Sequence, residues 1–192
     1  MRVTALGYRD VNTPFVVPAD LEPLERHPKA VSPGESIGRH NPACFGCGPD
    51  SPRGLHLDVR AGEGFTASAS MHVEPWMEGG PGIMHGGLVS SAFDEVMVKV
   101  PMLVDPATVT AHLEVNFRAP IPVGSTLTVE ATLLGRQRRK VYAEGIAHLG
   151  DPDRPVAYGK AMFVAINARE HFADHVHKSQ MDDDLKDRMS RP

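Results

Sequence analysis

A chain of 192 residues with 41% hydrophobic side chains holds enough apolar material for one domain with extensions. Its 20 Lys and Arg stand against 24 Asp and Glu, a formal net charge of −4, which carries no global nucleic-acid or membrane-surface signature. No apolar run reaches the length of a signal peptide or a membrane span, and the two cysteines, Cys44 and Cys47, give no disulfide framework, so a cytoplasmic protein is the expectation.

In chain order, residues 1–40 are rich in proline and charge (Pro14, Pro18, Pro23, Pro28, Pro33) and read as an extended arm, with a short strand near Phe15-Val16-Val17. A globular module follows over 41–167. It opens with Cys44-x-x-Cys47, which invites a zinc or redox reading. Four zinc ligands would require His40 and His56 at a spacing that is not a standard one. With Gly46 and Gly48 alongside, a tight turn holding packed cysteines is expected, with no metal and no cofactor. Residues 55–59 and 67–73 alternate like strands.

Gly79-Gly80-Pro81-Gly82 cannot be helical, so a helix is predicted to start near His85 and run to about residue 100. Leu88, Val89, Ala92, Phe93, Val96, Met97 and Val100 follow a period of about 3.6 residues, and Pro101 stops or kinks the run. Four alternating segments come next, near 109–118, 127–133, 141–147 and 156–166. Half-buried alternation of this kind suits an antiparallel sheet with one face on the core. One long helix against a curved antiparallel sheet gives an α+β domain. Residues 168–192, charged and His-rich, read as a surface helix or loose tail in which His171, His175 and His177 are solvated.

Chemistry concentrates at Met84-His85-Gly86-Gly87 and Asp94. The first amides of a helix lack carbonyl partners and lie at the positive end of its dipole, and two glycines let an acyl carbonyl approach without meeting a Cβ. Asp94 shares a face with Gly87, Ser90 and Ser91, away from the apolar stripe. Glu95 precedes Lys99 by four residues, the favourable order for a structural ion pair. Gly86 and Asp94 are eight residues apart, roughly 12 Å along a helix at about 1.5 Å per residue. One acyl carbon cannot touch both. Joint action therefore requires an antiparallel second copy and an isologous dimer with two sites. Arg136, Arg138, Arg139 and Lys140 form the strongest basic run, able to grip phosphates or to cap a solvated hairpin tip.

Pro81-Gly82-Ile83-Met84-His85-Gly86-Gly87, then Asp94, then the stretch from Thr110 to Pro120-Ile121-Pro122-Val123-Gly124, resemble the hotdog-fold acyl-CoA thioesterases, in particular the PaaI-like group. Cys44-Phe45-Gly46-Cys47-Gly48 with Pro52-Arg53-Gly54-Leu55 also resembles the opening of many bacterial members, so the likeness spans about residues 41–167. The resemblance implies a long central helix wrapped by a sheet of five to six strands. It implies an acyl-CoA substrate and a homodimer or dimer of dimers, with neither nucleic acid nor membrane as partner. Residue by residue, it implies that the Gly86 amide polarises the thioester carbonyl. Asp94 of the opposite subunit acts as general base or nucleophile, Thr110 orients the water or the carboxylate, and His85 shapes the turn. Gly82 and Gly87 would lie against the substrate, and Arg136, Arg138, Arg139 and Lys140 would meet the coenzyme's phosphates. Some relatives place an asparagine six residues before the motif histidine. Here that residue is Gly79, as in the branch with a Gly-Pro-Gly approach. A non-catalytic acyl-CoA-binding or sensing module is the alternative on the same fold.

Overall fold

The computed structural model describes residues 15–39, 41–104, 107–181, 183, 184 and 186. Six strands form one antiparallel sheet: β1 (Arg60–Ala61), β2 (Thr66–His72), β3 (Thr108–Phe117), β4 (Thr126–Gln137), β5 (Lys140–His148) and β6 (Ala157–Ala165). Their order across the sheet is β1-β2-β4-β5-β6-β3, which leaves β3 at one edge. The long helix α1 (Gly86–Lys99) packs on β2 through β6, and a five-residue helix α2 (Ala168–Phe172) follows the sheet. This is the hotdog architecture expected from the sequence.

The helix seats where the sheet has no side chains. Gly145 on β5 lies opposite Gly159 on β6, and the ring of Phe93, fully buried, fills the notch above them. A Cβ at Gly159 would stand 2.5 Å from Phe93 Cδ1 and 3.1 Å from Met97 Sδ. Val89, Ala92, Val96 and Met97 complete the buried stripe that the 3.6-residue period predicts. Phe93 and Met97 are both fully buried.

Two expected strands differ. Leu55, Leu57 and Val59 are buried, with His56 exposed and Asp58 half-buried between them, so the alternation is present. His56, however, takes a left-handed φ of 52°, which interrupts a ladder, and only Arg60–Ala61 pairs as a strand. The Phe15–Val17 segment forms no strand. Phe15 instead stacks on His112 with ring centroids 4.5 Å apart and reaches Tyr142 at 6.2 Å. Residues 15–39 lie against the domain: Leu24, Val31 and Ile37 pack on the core, and the His27 N–H donates to Leu103 O at 2.9 Å.

Candidate active site

The start of α1 is shaped by the hairpin-like loop before it. The Gly79 N–H donates to Ile83 O at 2.8 Å, and the His85 N–H to Met77 O at 2.8 Å. Gly82 turns the chain with a φ of 73°, donates its N–H to the Glu78 carboxylate and accepts from Val123 N at 2.9 Å. A Cβ at Gly79 would meet His85 Cα at 2.8 Å, so the asparagine of some relatives has no room here.

His85 is the N-cap of α1: its Nδ1 accepts the Gly87 N–H at 2.9 Å. The two open amides read from the sequence therefore reduce to one. Gly87 supplies the space for the cap, since a Cβ there would stand 3.0 Å from the imidazole ring. The Gly86 N–H makes no hydrogen bond among the described residues. It opens on a hollow of about 380 Å³ lined by Ile83, Met84, Val89, Phe117 and the 118–121 turn. Phe117, 52% exposed, forms its outer wall.

Asp94 faces a different and larger cavity, about 760 Å³, whose lining includes Cys44, Met102, Thr110, Phe172, His175 and Met181. The expected surface tail thus contributes one wall of it. Thr110 Oγ1 donates to Asp94 Oδ1 at 2.7 Å. Simple alternation along β3 would put Thr110 with His112 and Glu114, away from the helix. The strand bulges: Thr110 lies opposite Phe163 and His112 opposite the next residue, Met162, leaving Ala111 extra. One added residue reverses the faces, so Thr110 joins Leu113 and Val115 on the helix side. Ser90 and Ser91 donate back to Gly86 O (3.1 Å) and Gly87 O (2.9 Å).

Glu95 behaves as the sequence predicts. It is 5% exposed and its Oε1 lies 3.7 Å from Nζ of the equally buried Lys99. The basic run is the β4–β5 hairpin tip, with Arg138 at a φ of 57°. The arm holds it: Glu22 accepts from the Arg138 N–H at 2.7 Å and pairs with Arg136 at 3.4 Å. Arg139 Nε donates to Ala165 O at 3.0 Å. Arg136, Arg138, Arg139 and Lys140 line neither the Gly86 hollow nor the Asp94 cavity. His40 lies outside the described residues, and His56 is engaged with Gly48 O at 2.8 Å.

Residues 81–156 match the family model of the thioesterase superfamily. The human acyl-coenzyme A thioesterase THEM5 is 30% identical over 95 residues, covering 50% of this chain and 38% of that protein. The chain thus spans less than two fifths of the length of this curated relative. A crystal structure of a thioesterase superfamily protein superposes with a TM-score of 0.60 at 22% identity, over 67% of this chain and 61% of that one. A Streptococcus mutans protein solved bound to acetyl CoA superposes with a TM-score of 0.54 at 16% identity, over 58% of this chain and 89% of that one. The chain has the hotdog fold of the thioesterase superfamily, and the stretch that carries Gly86, Asp94 and Thr110 is the stretch that matches it.

Proposed function

We propose that this protein hydrolyses acyl- or aryl-CoA thioesters to the free acid and CoA, at two sites per homodimer, each built from both subunits. One observation carries the reading. A Gly86 N–H open to a hollow and an Asp94 fixed by Thr110 sit on the same helix but face separate cavities. About 12 Å of helix separates them, too far for one reacting carbon. The edge strand β3 is where an antiparallel copy would pair, bringing the partner subunit's Asp94 to the Gly86 hollow.

In that arrangement the Gly86 N–H receives the oxyanion formed when water adds to the thioester carbonyl, a contribution on the order of 10²–10³ in rate. Asp94 takes the proton of the attacking water, worth about 10²–10⁴, and returns it to the leaving sulfur. Direct attack by the carboxylate is the variant of the same scheme. Thr110 holds one carboxylate oxygen, so the other is presented to the water. His85 fixes the turn, and Gly82 and Gly87 keep side chains out of the acyl carbonyl's path. The nucleotide end of CoA extends well beyond the thioester, and Arg136, Arg138, Arg139 and Lys140 would meet its phosphates from outside the two hollows. The human relative's name as an acyl-coenzyme A thioesterase and the Streptococcus mutans neighbour's bound acetyl CoA support this substrate class.

Thiol release from short, medium, long and aromatic acyl-CoAs, wild type against Asp94→Asn, tests it. Turnover lost in the variant, with dimer and CoA binding retained, is the expected result. Tight acyl-CoA binding with no turnover on any thioester would leave a binding module instead.

A further inference from the structure

Three metal-ligating side chains outside the proposed reaction centre converge at one point. Cys44 and Cys47 occupy a tight turn, Glu95 reaches them from α1, and one ligand atom from each lies within 4.8 Å of the others. The cluster is largely sealed, with Cys47 1% exposed and Glu95 5%. The two elements are built to meet: a Cβ on Gly46 would collide with the Glu95 carboxylate, so only glycine permits the approach. The Gly46 N–H donates to Cys44 Sγ at 3.3 Å, and the Cys44 thiol in turn donates to Glu95 Oε2 at 3.5 Å, so the turn and the helix are already in contact through the would-be ligand atoms.

We infer that Cys44, Cys47 and Glu95 bind a zinc ion that ties the cysteine turn to the middle of α1, one residue from Asp94. The sequence spacing argued against zinc because no standard ligand follows Cys47. The fold supplies the third donor from a helix 48 residues further along the chain. Zinc–sulfur bonds of about 2.3 Å set tetrahedral donors roughly 3.8 Å apart, a contraction that side-chain torsions can provide. On binding, both thiols release their protons to solvent. Two sulfur–zinc bonds and one oxygen–zinc bond form, and a water from the cavity that Cys44 and Glu95 line takes the fourth position.

Charge balances as well. Two thiolates and a carboxylate face the doubly charged ion together with the buried ammonium of Lys99, 3.7 Å from Glu95, so the cluster is neutral. Soft sulfur donors select zinc over magnesium or calcium.

Untagged full-length protein, expressed with added zinc and passed through gel filtration in zinc-free buffer, would be assayed by plasma mass spectrometry. About one zinc per chain is expected, falling roughly tenfold or more in Cys44→Ser and Glu95→Gln. Cobalt-loaded protein should show thiolate-to-cobalt charge-transfer absorption that Cys47→Ser removes. A strong chelator should lower the wild-type melting temperature, a measurement that needs no variant to fold. Zinc-free protein with a melting temperature indifferent to zinc and chelator would overturn the site. So would zinc retained undiminished in Cys44→Ser, which would place it on the C-terminal histidines, or a Cys44–Cys47 disulfide in the purified protein. None of these outcomes bears on whether the protein cleaves thioesters.

Discussion

Thr110→Val is the sharpest test of the carboxylate's setting, because it keeps the shape of the side chain and removes only the donor. The lost contact is an O–H to carboxylate bond of 2.7 Å, short enough to be charge-assisted. Hydrogen bonds to charged groups contribute about 1.5–3 kcal/mol, which would be about 10-fold to 150-fold in rate if the whole amount is realised only in the transition state. Thr110 is exposed in a single subunit, and water partly replaces a lost bond at such a position, so the lower end, roughly 10-fold in kcat, is the expected loss. Thr110→Ser retains the hydroxyl and should stay within about threefold of wild type, since it loses only packing. Thiol release under saturating acyl-CoA, with melting temperature measured alongside, reads both variants. Equal kcat for Val and Ser at position 110 would refute the idea that this hydroxyl positions Asp94. A deletion of Ala111 approaches the same point from the backbone. Removing that extra residue makes the ladder regular with Thr110 still opposite Phe163 on the helix side, so kcat should stay near that of wild type.

Gly159→Ala forces a methyl against the Phe93 ring and should destabilise by about 1–3 kcal/mol in urea titration, with Phe93→Leu relieving part of that cost in a double-mutant cycle. His85→Ala removes the cap on the Gly87 N–H and should cost about 1 kcal/mol of stability together with a loss of kcat, because it frees the geometry around Gly86; an active, equally stable variant would count against the cap. Phe15→Ala should expose Tyr142 and His112 and speed proteolysis of the arm, with little change in the core's melting transition. The Asp58 carboxyl is held below its ordinary value near 3.8 chiefly by the Ser36 hydroxyl at 2.5 Å, with Arg60 adding to it. Its contribution is complete above that value and vanishes as pH falls through the lower folded one, so Asp58→Asn should lower stability at neutral pH and converge with wild type in acid, flattening the acid limb.

Periodicity made the helix and the later strands readable, because a 3.6-residue apolar stripe and a two-residue alternation leave few alternatives. The bounds of α1 fall within a residue of those expected, since Gly82 and Pro101 punctuate it on both sides. What alternation cannot carry is a change of phase. The extra residue at Ala111 is invisible in composition, yet it decides which face Thr110 occupies. A left-handed His56 has no sequence signature of its own, and it cut short a strand that the apolar pattern supports. The Gly87 amide looked open because helix starts leave orphan donors, but the histidine beside it was also a cap. Phe93 and Met97 were legible as part of the buried stripe, but the glycine pair that receives them was not, because it comes from strands far along the chain. The cysteine turn's third neighbour, Glu95, was distant in sequence for the same reason.

The Phe93 ring in its Gly145–Gly159 notch works as a detent. A helix held by a single bulky tooth cannot creep along the sheet. Sliding by one turn would drive the ring into the neighbouring side chains of β5 and β6. Under the proposed function, changes in substrate preference would therefore be written elsewhere. The segment after β6 offers another place for variation, since Phe172, His175 and Met181 wall the cavity around Asp94. Under the proposed function, the guest could be changed by rewriting that segment while Gly86 and Asp94 on α1 stay as they are.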